Sequence, residues 1–368
     1  MRHAMIMAGG AGTRLWPMSR AGTPKQLTPF IYRKDSPGAV TLLDVAAERL
    51  DGIVPPERRS ICTGERFRAQ IKQRLPSFTD ERILGEPAAR DTVNAVAFGA
   101  AVYEKADPDA VFAVLTADHI ITPQDVFARA MDEGFRLVEA DPTRLVTFGI
   151  RPTFPATGYG YVEEAGPVEG ASPLAFRVAK FVEKPELAVA EKYLAAGNFH
   201  WNSGMFVFHA GTFLKLLEKF MPENAAGMRE IQAAWGTPNQ NTVLECVYPT
   251  LPKKSVDYGV MEPASTDDSV SICGVRMDVN WLDVGSWPSY GETIDPDARG
   301  NRVAPGTSAV MTDCTNTVAV SSDPGHTLAL LGCEGLIVVH TPDATLVMPA
   351  DRAQDLKSLH AELPDQLK

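Results

Sequence analysis

A glycine-rich loop near the N-terminus holds the residues best suited to phosphate chemistry. Residues 8–14 read Ala-Gly-Gly-Ala-Gly-Thr-Arg and follow directly after a short apolar run. Because glycine has no Cβ, backbone N–H groups in such a loop can approach an anion closely. Arg14 could bind two phosphate oxygens at once, and Lys25 could neutralise the charge that develops during phosphoryl transfer. The loop is therefore predicted to bind a triphosphate.

Two common phosphate-binding loops do not fit this spacing. The dinucleotide-binding G-x-G-x-x-G pattern would need glycine where Leu15 stands, and the loop has no Gly-Lys-Ser/Thr as the Walker pattern requires. A glycine turn beside ordinary surface basic residues would explain a lone glycine cluster. The full spacing, G-G-x-G-x-R-x-x-P followed by Pro24-Lys25, favours a phosphate site over that alternative.

Asp118 closes the apolar run at 110–118 and is a candidate metal ligand. Open α/β sheets bind ligands at the carboxyl ends of their strands, and Mg²⁺ prefers one or two carboxylates together with phosphate oxygens. The alternative is an aspartate that caps the next helix. That alternative is weaker, because Pro123 marks the start of that helix several residues later.

Alternating strand and helix patterns predict the sheet that positions these residues. Strands are predicted at 3–8, 59–64, 82–86, 110–118 and 145–150, and helices at 39–51, 65–75, 91–105 and 123–139. Thr122-Pro123 is predicted as an N-cap followed by a first-turn proline, and Asp91-Thr92 as another helix start. This alternation indicates parallel βαβ units and a doubly wound α/β sheet.

The pattern changes in the second half of the chain. From about residue 157, two strands, a helix at 186–196 and the apolar strand SGMFVFH predict a second lobe lying across the sheet. The stretch 291–306 is rich in Gly, Pro and charge and is predicted to be a linker. Short strands and turns follow, and a polar helix at 351–362 closes the chain. The predicted domains are thus a catalytic domain at 1–290, the linker 291–306 and a small β module at 307–368.

Composition excludes several classes of protein. The net charge of −11 argues against nucleic acid as a partner, because binding to a phosphate backbone needs an excess of Lys and Arg. The five cysteines form no C-x-x-C pair, which argues against a zinc site or a disulfide framework. The N-terminal residues are interpreted as the first strand of the fold and not as a signal peptide, and no apolar run reaches the ~20 residues that a membrane span needs. A cytoplasmic location without membrane association is therefore expected.

The sequence also carries a long motif that resembles a known family. MAGGAGTRLWPMSRAGTPKQL resembles the signature of the sugar nucleotidyltransferases, and LWPMSR resembles their mannose-1-phosphate guanylyltransferase branch in particular. Further matches cover about residues 1–360. The resemblance implies a Rossmann-like mixed sheet of the GT-A-like kind, with a small C-terminal β-helical module used in subunit association. It also implies GTP and mannose 1-phosphate as substrates, Mg²⁺ as cofactor, and a homodimer.

The resemblance assigns roles to the phosphate-binding and metal-binding residues. Asp283 lies in NWLDVGSW and alone would be interpreted as a turn residue, but the family's W-x-D-V-G-S-W implies a second metal ligand beside Asp118. Leu282 replaces the serine that is more common there. Arg14 and Lys25 are the implied catalytic residues. The implied binders of the triphosphate are Ala8, Gly9, Gly10, Gly12 and Thr13.

Three further motifs are implied to hold the sugar phosphate. FVEKP supplies Glu183 and Lys184, TGYGY supplies Gly160, and WNSG supplies Asn202. The alternatives are an exposed Glu-Lys pair at a strand end and a turn before the strand MFVFH. SVDYGVME (255–262) resembles the family's I-D-Y-A-V-M-E and is assigned a structural role.

The stretch 85–94 resembles the family's guanine-side motif, E-P-x-G-R-N-T-A-P-A. Glu86, Arg90 and Thr92 match it and are implied nucleotide-binding residues. The departures are Ala89, Asp91, Val93 and Asn94, and Asp91 could also be a plain N-cap. These departures leave open a sugar-1-phosphate nucleotidyltransferase with another base or sugar. A catalytically silent regulatory subunit is disfavoured, because the implied cationic and metal-binding residues are all present.

Overall fold

The computed structural model describes residues 1–10, 12–33 and 38–368. Ala11, part of the predicted glycine loop, lies outside the described residues. Contacts between Cα atoms divide the chain into two units. Unit 1 comprises Met1–Gly9, Ala46–Thr116 and Ile121–Trp281, and unit 2 comprises Gly10–Val45, Ala117–Ile120 and Leu282–Lys368. Within the described part of the chain, no helix is both long and apolar enough to span a bilayer.

The strands of the described chain are β1 Arg2–Met7, β2 Arg59–Gly64, β3 Ile83–Glu86, β4 Val111–Thr116, β5 His119–Thr122, β6 Arg144–Ile150, β7 Gly160–Pro167, β8 Ala175–Val182, β9 Phe199–His209, β10 Ser271–Arg276, β11 Asn280–Asp283, β12 Arg302–Val303, β13 Ser308–Thr312, β14 Val318–Ser321, β15 Thr327–Leu331, β16 Leu336–Thr341 and β17 Ala344–Pro349.

The α-helices are α1 Leu42–Glu48, α2 Arg68–Arg74, α3 Asp91–Ala106, α4 Gln124–Ala140, α5 Leu187–Ala196, α6 Ala210–Phe220, α7 Pro222–Ala234, α8 Gln240–Val247, α9 Glu262–Ala264, α10 Trp287–Gly291 and α11 Leu356–Glu362. A π-helix, Asp257–Met261, runs directly into α9.

Unit 1 is built on one nine-stranded mixed sheet, with the strand order β3-β2-β1-β4-β9-β6-β10-β8-β7. β1 pairs in parallel with β2 and β4, whereas β9 is antiparallel to both β4 and β6. The predicted second lobe is wrong in this respect: β7 and β8 are strands of the same sheet. The physical reason is that the long strand β9 pairs with both β6 and β7, so the second half of the chain extends the first sheet.

The core of unit 1 contains the strongly apolar strands and the helices that pack on them. α3 packs against α6 and α7, and its residues from Val93 to Ala101 are buried. α4 packs on β6 and β9 and is amphipathic, which matches the helical spacing seen in the sequence. The candidate residues of this unit come from the strands of this sheet: Gly9 follows shortly after β1, Glu86 ends β3, Gly160 begins β7, Glu183 follows β8 and Asn202 lies within β9.

Two predicted helix starts differ in detail from the structure. The N-cap of α4 is Pro123 and not Thr122, because Pro123 keeps an extended conformation and its carbonyl accepts the N–H of Phe127. α3 begins at Asp91, as predicted, but its N-cap is Arg90. The interpretation of Asp91 as an N-cap is therefore wrong. Its carboxylate instead accepts the N–H of the next residue, Thr92, at 2.8 Å.

Unit 2 joins the signature segment to the C-terminal β module. Its strands form the sheets β12-β14-β16-β17 and β13-β15, with parallel pairs except for β16 and β17. The indole N–H of Trp16 donates to the carbonyl of Leu367 at 2.7 Å, and Trp287 donates to the carbonyl of Trp16 at 2.9 Å. Both tryptophans are buried in one apolar cluster with residues of the β module. The tryptophan of LWPMSR thus fixes the glycine loop to the C-terminal part of this unit.

Glycine at position 274 is required by close packing within the sheet of unit 1. A Cβ on Gly274 would lie 2.1–2.7 Å from ring carbons of the fully buried Phe176, its partner on β8. We expect Gly274→Ala to lower the free energy of unfolding by about 1–3 kcal/mol, because the ring has to move within a close-packed core. Urea unfolding measures this. Gly158→Ala, which adds a methyl group in open space, is the matched control, and equal midpoints for the two variants would contradict the packing account.

Candidate functional site

The glycine loop of unit 2 is shaped around Lys25. Gly10 and Gly12 have φ values of 100° and 64°, in the left-handed region that favours glycine. A Cβ on Gly12 would lie 3.0 Å from the Cβ of Lys25 and 3.2 Å from its backbone nitrogen. The hydroxyl of Ser19 donates to the Gly12 carbonyl at 2.5 Å. The loop therefore needs glycine for both its conformation and its close contact with the lysine.

Lys25 is buried, and its ammonium group contacts the short segment that follows β4. Its Nζ donates to Asp118 Oδ2 at 2.8 Å and to the Val284 carbonyl at 3.2 Å. The Val284 N–H in turn donates to the Asp118 carbonyl at 3.0 Å. Three separate segments of unit 2 thus meet at one ammonium group, and Lys25 and Asp118, both predicted from the sequence, are in direct contact.

Arg14 lies beside the second predicted metal ligand. Its Nη1 donates to Gln354 Oε1 at 3.1 Å. A Cβ on Gly285 would lie 3.3 Å from Arg14 Nη2 and 3.1 Å from Asp283 Oδ1. Gly285 of the D-V-G-S-W motif therefore leaves room where the guanidinium and this carboxylate come close.

Asp118, His119 and Asp283 form a small cluster that could hold a metal ion. One ligand atom from each lies within 4.8 Å of the others. Burial would raise the pKa of Asp118, but the charges of Lys25 and His119 outweigh it and lower the pKa to about 2. The carboxylate is therefore ionised at neutral pH. Two such carboxylates suit a hard divalent cation such as Mg²⁺.

In unit 1, a second group of predicted residues surrounds Glu86 at the end of β3. The Tyr248 hydroxyl donates to Glu86 Oε1 at 2.6 Å, and a Cβ on Gly9 would lie 3.9 Å from Glu86 Oε2. Burial raises the pKa of Glu86. The N–H of Ala8 donates to the Cys62 carbonyl, and its own carbonyl accepts from Thr63. The Ala8 amide is thus already used within the sheet.

The four residues that depart from the guanine-side motif differ in their burial. Val93 and Asn94 are fully buried. Asn94 donates to the carbonyls of Arg90 and Pro252 and accepts from Asn224, so it ties α3 to neighbouring segments. Only Ala89 and Asp91 of the four are exposed. The buried departures therefore have a packing role, and any direct effect on a ligand is confined to the exposed pair.

Arg90 and Thr92, which match the motif, have different surroundings. The Thr92 hydroxyl accepts the N–H of Val256 at 2.9 Å and so connects α3 to the segment before the π-helix. The Arg90 Nε is buried without a hydrogen-bond partner. Within the described residues, the Nε donor of Arg90 is thus not used by the protein itself.

The four predicted sugar-phosphate residues of unit 1 lie together. Gly160 on β7 pairs with Asn202 on β9, and a Cβ on Gly160 would lie 2.5 Å from Glu183 Oε2. The Lys184 Nζ contacts Glu183 Oε1. The side chain of Glu183 is 5% exposed and that of Lys184 is 55% exposed. The FVEKP, TGYGY and WNSG motifs therefore converge, as expected if they bind one ligand.

Comparison with known proteins agrees with this arrangement. The family model described as nucleotidyl transferase matches residues 3–299, and a model described as a MannoseP isomerase/GMP-like beta-helix domain matches residues 307–363. The chain belongs to the nucleotidyltransferase family. The predicted α/β fold with a C-terminal β-helix-like domain is thereby confirmed.

Named members of the nucleotidyltransferase family are similar over most of the chain. A mannose-1-phosphate guanylyltransferase of Klebsiella pneumoniae is 38% identical, over 96% of this chain and 72% of that protein. The xanthan biosynthesis protein XanB of Xanthomonas campestris is 36% identical, over 98% of this chain and 72% of that protein. A solved Thermus thermophilus structure, described as a mannose-1-phosphate geranyltransferase, is 33% identical with a TM-score of 0.83 and covers 97% of this chain and 98% of that one.

Sequence reasoning missed three residues that the structure places among the candidate residues of this nucleotidyltransferase. His119 joins the two aspartates, and its position directly after Asp118 in the sequence is a signal that could have indicated it. Tyr248 had no motif to indicate it, because its contact with Glu86 spans 162 positions. Asp257 lies in the segment that was assigned a structural role, and its carboxylate accepts from Asn202 Nδ2 at 3.0 Å.

Asp257 has an unusual charge environment. Burial and the nearby Glu183 raise its pKa from 3.8 to about 7. The folded state therefore binds more protons than the unfolded state between pH ~4 and ~7, so the contribution of Asp257 to stability falls as pH rises through that window. Asp267 is the opposite case, because its hydrogen bond with Lys219 lowers its pKa to about 2.

We expect Asp257→Asn to become progressively more stabilising, relative to the parent chain, from pH 4.5 to pH 7.5. The physical reason is that the asparagine removes a carboxylate that is costly to ionise in the folded state. Melting temperatures across that range measure the effect. The matched control, Asp267→Asn, should be destabilising over the same range because it removes a favourable ion pair. A loss of stability in Asp257→Asn that stays constant or grows as the pH rises would contradict the raised pKa of Asp257.

Proposed function

We propose that this chain transfers GMP from GTP to α-D-mannose 1-phosphate, giving GDP-mannose and pyrophosphate. The observation that carries the proposal is the contact of Lys25 with Asp118, with Asp283 in the same cluster. A lysine, a phosphate-binding loop and two carboxylates are the groups that nucleotidyl transfer requires. The choice of GTP and mannose 1-phosphate is supported by relatives that carry the name mannose-1-phosphate guanylyltransferase.

The transfer needs no nucleophile from the protein. A phosphate oxygen of mannose 1-phosphate forms a bond to the α-phosphorus of GTP, while the bond from that phosphorus to the β-bridging oxygen breaks. The electron pair of the broken bond leaves with pyrophosphate. Catalysis then consists of holding the reacting groups in line and neutralising the charge that develops.

The residues of unit 2 are proposed to act on the triphosphate. The backbone of Gly10, Gly12 and Thr13 would bind phosphate oxygens, and Arg14, oriented by Gln354, would pair with them as a fork. The Lys25 ammonium would neutralise charge on the α-phosphate and the leaving group. Asp118 and Asp283 would hold Mg²⁺, which when bound polarises the α-phosphate and supports the leaving pyrophosphate.

The residues of unit 1 are proposed to recognise the base and the sugar phosphate. Guanine presents N1–H and a 2-amino group on one edge, and a carboxylate such as Glu86 can accept from both, with Tyr248 fixing its position. Gly9 and Arg90 would contribute to the same nucleotide. Lys184 would hold the phosphate of the sugar phosphate. Glu183 and Asn202 would bind its hydroxyls, with Gly160 allowing close approach.

Two further properties are part of the proposal. A homodimer formed through the C-terminal β module and a cytoplasmic location both fit an enzyme whose substrates are a nucleotide and a sugar phosphate. Neither property is needed for the mechanism described above.

Pyrophosphate release across a grid of substrates tests the proposal. With Mg²⁺ present, GTP, ATP, UTP and dTTP are each combined with the 1-phosphates of mannose, glucose and fucose. We expect turnover with GTP and mannose 1-phosphate to exceed every other pair by about 10²-fold or more, because the mismatched base or sugar leaves buried polar groups unpaired. Addition of excess EDTA should abolish turnover. Preference for another pair would contradict the substrate assignment, and failure of all pairs would contradict the enzymatic proposal itself.

A further inference from the structure

Asp257 is held in an unusual backbone conformation next to the proposed sugar residues. It is the first residue of the π-helix Asp257–Met261, which leads into α9. π-helical turns are rare and occur frequently at functional sites. Val256, the preceding residue, is tied to α3 by its hydrogen bond to Thr92. The position of the Asp257 side chain is therefore determined by the fold.

The hydrogen bonds around Asn202 determine what Asp257 can do. The Oδ1 of Asn202 accepts from the Thr147 hydroxyl at 2.8 Å and from the Gly204 N–H at 3.2 Å. Its Nδ2 must then be the atom that donates to Asp257 Oδ1, at 3.0 Å. Asp257 Oδ2 has no side-chain donor among the described residues. One carboxylate oxygen thus orients Asn202, and the other accepts from no side chain of the described residues.

The surroundings of Asp257 do not explain it as a stabilising residue. No cation in the described part of the chain forms an ion pair with it, and the nearby Lys184 contacts Glu183 instead. Glu183 itself places a second carboxylate close by. A half-buried carboxylate beside another carboxylate is unfavourable for folding, and groups kept in such environments are concentrated at functional sites.

We propose that Asp257 is a sugar-binding residue: its second oxygen, Oδ2, accepts a hydrogen bond from one hydroxyl of the sugar phosphate, on the same ligand that Glu183 and Asn202 hold. The inference rests on the proposed function and deepens it, because it assigns a specificity role to the SVDYGVME segment. A hydroxyl donates to a carboxylate oxygen, whereas an analogue without that hydroxyl leaves the carboxylate unpaired.

The test combines variants of Asp257 with deoxy analogues of the sugar. The value of kcat/KM is measured for the parent chain and for Asp257→Asn, with α-mannose 1-phosphate and with its 2-, 3-, 4- and 6-deoxy forms. In Asp257→Asn the side-chain oxygen can still accept from Asn202, while an NH₂ group replaces the second oxygen. Asp257→Glu serves as a second variant that keeps the charge but moves the oxygens by one methylene. Asp267→Asn is the control for a carboxylate of the same unit that pairs with Lys219.

We expect Asp257→Asn to lower kcat/KM for mannose 1-phosphate by about 10- to 100-fold, the range of a hydrogen bond to a charged group, with the KM for GTP unchanged. With the one deoxy analogue that lacks the partner hydroxyl, the parent and both Asp257 variants should agree within about threefold. The Asp267→Asn control should show no such coupling to any hydroxyl.

Three results would overturn the inference. They are an unchanged kcat/KM in Asp257→Asn, a loss of equal size with every deoxy analogue, and a loss expressed mainly in the KM for GTP. A failure of the proposed function is distinguishable from these results, because it would appear in the parent chain as a lack of turnover with mannose 1-phosphate. If the parent prefers another sugar 1-phosphate, the same set of deoxy analogues is made from that sugar.

Discussion

Lys25 carries its ammonium group into a buried position, where the carboxylate of Asp118 and the carbonyl of Val284 compensate its charge. A buried charge is costly unless it is paired and hydrogen-bonded, so this contact constrains the segments that supply it. Gly12 must be a glycine because the lysine stem packs against it. The hydrogen bond from the Val284 N–H to the Asp118 carbonyl holds Asp283 near the same point. The proposed phosphate chemistry depends on this one arrangement.

The residues proposed to bind the sugar phosphate are positioned by a hydrogen-bond network and not by one buried ion pair. These residues come from separate motifs, and a hydrogen-bond network that includes Thr147, Asn202 and Asp257 holds them in one orientation. The second oxygen of Asp257 has no side-chain donor among the described residues, and the side chain of Lys184 keeps an exposed end. A polar network of this kind is preorganised, because each amide or hydroxyl that positions another group has a defined partner. Preorganisation is what substrate selection between similar sugars requires.

Much of the fold could be predicted because the strong local signals agree with the tertiary structure. β2 was predicted with its exact bounds and β1, β3, β4 and β6 within a few residues, since their apolar runs are bounded by clear breaks. The placement of β7, β8 and β9 in the same sheet could not be predicted, because β9 pairs antiparallel with strands far away in sequence. Local patterns do not encode that choice.

The candidate functional residues likewise divide into those that the sequence predicted and those that it did not. Residues that belong to short motifs, such as Glu183 and Asn202, were found from the sequence and lie together in the structure. Tyr248 and Asp257 were missed because their significance depends on contacts across long sequence separations. The departures Val93 and Asn94 suggested altered base selection, whereas their burial indicates packing. Burial, which a single sequence does not report, decides between these interpretations.

The affinity of the unliganded chain for Mn²⁺, measured by electron paramagnetic resonance as a probe for Mg²⁺, tests the central role of Lys25 most directly. In Lys25→Ala the ammonium group no longer pairs with Asp118 Oδ2, so the account predicts that Mn²⁺ binds at least about tenfold more tightly. It also predicts that kcat falls by a factor of about 10²–10³. Lys72→Ala, which removes the same charge from the surface pair with Asp80, should leave the affinity unchanged. Equal Mn²⁺ affinities for the two variants, or near parental turnover in Lys25→Ala, would contradict the account.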